Sequence, residues 1–165
     1  MTVNGMSRRY ALPDTLAGLT TQSSYVRWLS RIALHHVRRD RERGNALATR
    51  ESYMLSIHAA VVASDGRDAY TGEALDWHLI STYDNAQAAQ GGRAYKATLA
   101  MKPTVDHVGD GLGPADFRIC AWRTNQAKGD LAYDDFVALC RRVIAFHDTS
   151  VSERVIRTCA THSST

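Results

Sequence analysis

The chain reads as an α+β fold, and three observations carry that reading. Apolar residues recur at three- and four-residue spacing through the segment from Tyr25 to Val61. Two short apolar runs flank a glycine-rich loop between Thr104 and Trp122. A further amphipathic stretch follows from about Tyr133 to His147.

The elements follow in order. Residues 1–21 show no sustained periodicity and are expected to form a loosely held arm. A helix is predicted after Ser23 or Ser24 as N-cap, with Tyr25, Trp28, Leu29, Ile32, Ala33 and Val37 on one face and Arg27, Arg31 and Arg38 on the other. The charged run Arg38–Arg43 and Gly44-Asn45 mark its end. A second helix is predicted over 46–63, with Tyr53, Met54, Ile57, Ala60 and Val61 inward, stopped by Ser64-Asp65-Gly66. Asn85 to Gly92, rich in Ala, Gln and Gly, reads as a surface segment. Thr104–Val108 and Phe117–Trp122 read as strands around Gly109, Gly111, Gly113 and Pro114. Phe136, Val137, Leu139, Cys140, Val143, Ile144 and Phe146 define a helix, with one short helix suggested at Val151–Cys159. The organisation expected is a basic helical extension over 1–63 and a second domain over 64–165.

Composition sets the class. A length of 165 residues with 44% hydrophobic and 22% charged residues suits one globular domain with an extension. No segment approaches the roughly 18 consecutive apolar residues of a membrane span, so no membrane partner is expected. Arg8 and Arg9 are not followed by an apolar stretch, so a cytoplasmic location is expected. Cys120, Cys140 and Cys159 are widely spaced with no CxxC pair, which argues against a disulfide framework and against structural zinc. The sequence sets no oligomeric state. Net charge is +3, but residues 1–50 hold nine Arg against Asp14, Asp40 and Glu42, leaving the remainder mildly acidic. Arg27, Arg31, Arg38, Arg39, Arg41 and Arg43 are therefore candidate phosphate contacts, the alternative being a solvated helix face.

The stretch that carries chemistry is Pro103-Thr-Val-Asp106-His107-Val, followed by Asp116-Phe-Arg-Ile-Cys-Ala-Trp-Arg-Thr-Asn125-Gln-Ala-Lys128-Gly129. It resembles the signature of the HNH, or ββα-metal, endonucleases: an Asp-His pair ending a strand, a middle Asn after a loop, and a late Asn before Lys-Gly at a helix start. Asp116 stands at the place of the middle Asn. The resemblance covers residues 66–147 and implies a ββα-metal core that hydrolyses phosphodiester bonds, with DNA the favoured substrate. It implies His107 as general base, Asp116 as the residue that sets the loop carrying it, and Asp106 and Asn125 as oxygen ligands for Mg²⁺ or Mn²⁺. Arg123 and Lys128 join the candidate nucleic-acid contacts.

This chain departs from the pattern in two ways. Where relatives often carry a zinc ribbon it has Asp68, Thr71, Ala121 and Thr124, so packing by Tyr70, Leu75, Trp77 and Trp122 is expected to replace the metal. Asp116 places a carboxylate where an amide is usual, which retunes metal preference or marks a site that no longer cuts. Other groups have plainer readings. His35-His36 and His58 suit solvated or helix-packing roles, and Asp134-Asp135 suit a helix start. Gly109, Gly111 and Gly113 form no phosphate loop, and Ser163-Ser164 has no nucleophile setting. Two alternatives to a nuclease stay open: a catalytically silent nucleic-acid-binding protein, and a small regulatory or protein-interaction domain in which Asp106, His107 and Asn125 form a buried network.

Overall fold

The computed structural model describes residues 9–80 and 82–162. Residues 1–8 of the expected arm, with Arg8, and Ser163-Ser164 lie outside them. The described residues form a mixed fold of five α-helices and one two-stranded antiparallel sheet. In chain order these are α1 (Gln22–Glu42), α2 (Arg50–Ser64), α3 (Asn85–Thr98), β1 (Pro103–His107), β2 (Phe117–Ala121), α4 (Trp122–Lys128) and α5 (Tyr133–His162). No helix among the described residues is long and apolar enough to cross a membrane.

The cap of α1 is Thr21, whose hydroxyl accepts from the Ser24 N–H at 3.2 Å; Ser23 and Ser24 lie inside the first turn. Its buried stripe of Tyr25, Trp28, Leu29, Ala33 and Val37 follows the predicted spacing, and two polar residues, His36 and Asp40, continue it. Thr49 caps α2 in the same way, through the Ser52 N–H at 3.1 Å, so the helix begins at Arg50 instead of Ala46. It ends on Asp65 in the left-handed region, a conformation aspartate tolerates. Residues 10–20 are docked instead of loose. Tyr10 and Leu16 are buried, and the Gln22 side chain binds the Leu12 N–H at 2.7 Å and the Tyr10 carbonyl at 2.9 Å. The stretch read as a surface segment is α3, capped by Asp84 and broken at Gly92, whose positive φ no other residue adopts easily. None of its residues is buried, which is why it shows no apolar periodicity.

α1, α2 and the hairpin share one hydrophobic core, in which Trp28 meets Trp77 edge-on at 5.6 Å. The chain divides into two compact units between Ala127 and Lys128, so the helices before residue 63 belong with the hairpin. In the second unit α5 continues without a break through 151–159, where the sequence suggests a separate helix. Its Val143, Ile144 and Phe146 are exposed. The hairpin pairs Pro103 with Ala121 and His107 with Phe117.

A buried carboxylate pins the hairpin to the turn before it. Asp68 Oδ1 accepts from the N–H groups of Tyr70 at 2.8 Å and Thr71 at 3.2 Å, and Oδ2 accepts from the Ala121 N–H at 2.9 Å and the Thr124 hydroxyl at 2.6 Å. The four positions at which the resemblance would place a zinc ribbon thus meet at one side chain. Asp68→Ala leaves several buried donors unpaired at once, and we expect it to cost about 3 kcal/mol or more in urea unfolding. Thr124→Ala removes one donor and is expected to cost about 1 kcal/mol. Equal small losses from both would show that water replaces Asp68 readily.

Candidate functional site

His107 is the last residue of β1 and Asn125 lies in the first turn of α4, so strand, loop, strand and helix follow in the predicted order. Neighbours on a strand point to opposite sides, and the two residues of the Asp-His pair have different surroundings. Asp106 is buried and its carboxylate accepts a short hydrogen bond from the Tyr70 hydroxyl. Burial, followed by that carboxylate, holds the Tyr70 phenol far above its ordinary pKa. His107 faces the helices: its Nε2 is 3.1 Å from Asp40 Oδ2, and its ring packs against Phe117 and His36. The ring is close enough for an ion pair, yet neither nitrogen is aligned for a hydrogen bond with any described residue.

Asp40 is fully buried and gathers several elements. The Tyr53 hydroxyl of α2 donates to it at 2.7 Å, and Arg39 and Arg43 stand 3.4 and 4.0 Å from its other oxygen. The glycine-rich loop closes over it. A Cβ on Gly111, where φ is +80°, would lie 2.8 Å from Asp40 Oδ1, so no side chain fits there without displacement. Asn45 holds the same loop by donating to the carbonyls of Gly111 at 2.8 Å and Gly113 at 3.2 Å.

Next to this cluster, sharing His36 and Arg39 with it, lies a cleft of about 670 Å³ walled by α1, residues 102–105 and α4. Arg31, His35, His36, Arg39 and Lys102 line it, together with Asn125, and among the described residues no Asp or Glu does. Neither Asp106 nor His107 is among the residues lining it. His36 is held as a neutral ring, its pKa pushed down to about 3 by burial and then by Arg39, so its Nδ1 accepts from the Arg39 guanidinium at 3.1 Å. Burial, and next the charge of Arg31, lower the pKa of Lys102.

The other predicted contacts are variously engaged. Arg38 pairs with Glu42 at 3.0 Å, Arg41 donates to the Ala48 carbonyl at 2.9 Å, Arg27 donates to the Ser24 hydroxyl at 3.2 Å, and Arg123 pairs with Glu73. Arg43 leans on Asp40, and Lys128, the last residue of α4, is buried. Asp116 is exposed, and its carbonyl accepts from the Val108 N–H at 2.9 Å across the mouth of the hairpin. Asp106 and Asn125, the proposed Mg²⁺ or Mn²⁺ ligands, are oxygen donors of the right type, but Asp106 is engaged by Tyr70 while Asn125 opens on the cleft. Among the described residues no three His, Cys, Asp or Glu side chains are placed to hold a metal ion together.

The chain matches no protein-family model, no curated protein and no solved structure. Sequence reasoning finds Arg31, Arg39 and Asn125 but misses Asp40, His36 and Lys102. The first two carried a signal: with Ala33 and Val37 they fall at three- and four-residue spacing, so an acid and a histidine continue the buried stripe.

The neutral His36 makes stability depend on pH. Its folded pKa lies below the unfolded value of 6.5, so between about 3 and 6.5 the unfolded chain binds a proton that the folded chain refuses. Its contribution is complete above 6.5 and is lost as pH falls; His58, also lowered by burial, acts in the same direction. Urea unfolding should show stability falling with a slope of up to about 1.4 kcal/mol per pH unit per histidine. His36→Gln, which keeps an acceptor for Arg39, should flatten that slope; an unchanged slope would remove His36 as its source.

Proposed function

We propose that the protein binds nucleic acid, with the phosphodiester backbone lying in the cleft between α1, β1 and α4. The observation that carries this reading is the lining: Arg31, Arg39 and Lys102 converge on one concavity, and among the described residues no carboxylate lines its wall. Bringing like charges together in a partly desolvated site costs free energy, and an anion that binds there relieves the cost. Arginine suits phosphate in particular, because its planar fork donates to two oxygens at once.

A second reading adds metal-dependent hydrolysis of the bound strand, as in the HNH endonucleases. It is supported by the order β1, loop, β2, α4, with His107 ending β1 and Asn125 within α4, and by the meeting of the four ribbon positions at Asp68, although Lys128-Gly129 ends α4 where the resemblance has Lys-Gly at a helix start. In that reading His107 is the base and Asp40 is the carboxylate beside it, and the buried ring, which stacks on His36 of the cleft wall without lining the cleft, has to become accessible for the bound strand to be cut. Engagement by Tyr70 leaves Asp106 short of an open ligand position, so the reading rests on the chain's order of elements and not on a formed metal site.

Two measurements test these readings. Arg31→Gln, Arg39→Gln and Lys102→Gln should each weaken DNA binding across sequences and reduce the salt slope by about one unit per lost contact, while Arg38→Gln, already paired with Glu42, should change little. Equal effects from all four would assign binding to general charge and not to the cleft. For hydrolysis, plasmid nicking with Mg²⁺ or Mn²⁺ should fall about a hundredfold or more in His107→Gln, which refills most of the space of the buried ring, with circular dichroism and DNA binding checked alongside. DNA binding by the wild type without any nicking would leave the protein a binding module.

A further inference from the structure

The cleft that holds the cations also holds aromatic rings, and their placement narrows what can enter. Tyr83 and Trp122 line it beside Arg31 and Lys102, with Trp28 buried at its inner wall. Tyr83 is 43% exposed, so one large ring is open to solvent at the edge of a cationic site. It is also held in place. Its ring stands 6.0 Å from that of Tyr95 on α3, and the Tyr95 hydroxyl accepts from the adjacent Asp84 N–H at 2.8 Å. The Lys102 ammonium lies over the Tyr83 ring, 5.0 Å from its centroid, so a phosphate bound by Lys102 would sit within one nucleotide of that ring.

A duplex stacks its bases on each other and presents only edges and phosphates, so it has no base face to give to an aromatic ring. A single strand has both a backbone for the cations and free base faces for stacking. The cavity volume also falls in the range that encloses a compact ligand, of the order of 300–1,000 Å³. Asn125, on the same wall, offers both a donor and an acceptor to a base edge.

From this we infer that the cleft takes an unpaired nucleotide of single-stranded nucleic acid, with its base stacked on Tyr83 and its flanking phosphates held by Arg31, Arg39 and Lys102. The inference rests on the backbone-binding reading above and adds the strand state and the stacking residue to it.

Fluorescence anisotropy on the intact chain separates the two. The probes are a labelled single-stranded oligodeoxynucleotide, the same sequence as a blunt duplex, and an abasic strand of equal length. We expect the single strand to bind about tenfold more tightly than either of the others. Tyr83→Ala should weaken single-strand binding at least about fivefold while leaving abasic binding unchanged, and Tyr83→Trp should restore it. Equal affinity for normal and abasic strands, a preference for duplex, or an unaffected Tyr83→Ala would overturn the inference while leaving backbone binding intact. Failure of all three probes to bind would overturn the backbone-binding reading and the inference together.

Discussion

The buried carboxylate of Asp40 is the constraint on which the arrangement of the first unit depends. A charge removed from water costs several kcal/mol unless neighbouring groups replace its hydration. Here the compensating groups come from separate parts of the chain: the Tyr53 hydroxyl donates from α2 and Arg39 and Arg43 stand beside the carboxylate from α1 and its end, while the His107 ring of the hairpin lies within 3.1 Å without a hydrogen bond to it. Satisfying one side chain therefore fixes the spacing of α1 and α2, the docking of the hairpin, and how closely the loop at Gly111 approaches. The Tyr53 phenol registers the same environment, its pKa pushed up to about 12 by burial and then by its hydrogen bond to Asp40.

That constraint also orients the cleft. Asp40 and its partners hold one side of α1 inward, and Arg31 and His35 earlier on the same helix, with the adjacent Arg39, then reach the concavity beside β1. Arg39 belongs to both sides. It leans on the Asp40 carboxylate and donates to His36 while lining the cleft, so the charge presented to a ligand is braced from behind. Lys102 enters from the chain preceding β1, where the Trp122 N–H bonds its carbonyl at 2.9 Å and sets α4 against it.

The sequence made the framework of this molecule legible where periodicity and burial coincide. Tyr25, Trp28, Leu29, Ala33 and Val37 announce α1, Tyr53, Met54, Ile57 and Val61 announce α2, and the two apolar runs around the glycines announce the hairpin. Helix α3 left no such trace, because a helix that buries nothing needs no apolar stripe. The docking of Tyr10 and Leu16 was equally silent, since isolated apolar residues have no period and their burial depends on partners far along the chain. The site divides in the same way. Arg31 and Arg39 are visible as a basic helix face, whereas Tyr83, Lys102 and Asn125 meet only through tertiary folding. Strand alternation was readable in Asp106-His107, and it sends the two side chains to Tyr70 and to Asp40.

Asp68 illustrates a different economy from metal cross-linking. A zinc ribbon closes only when an ion has been delivered and its thiolates are intact, whereas the contacts around Asp68 are made entirely from atoms that the polypeptide brings with it. These four hydrogen bonds therefore tie the turn at Tyr70 and Thr71 to the end of the hairpin through one side chain. None of these contacts passes through sulfur, although a reduced thiol, Cys120, is buried beside Ala121 in the same strand.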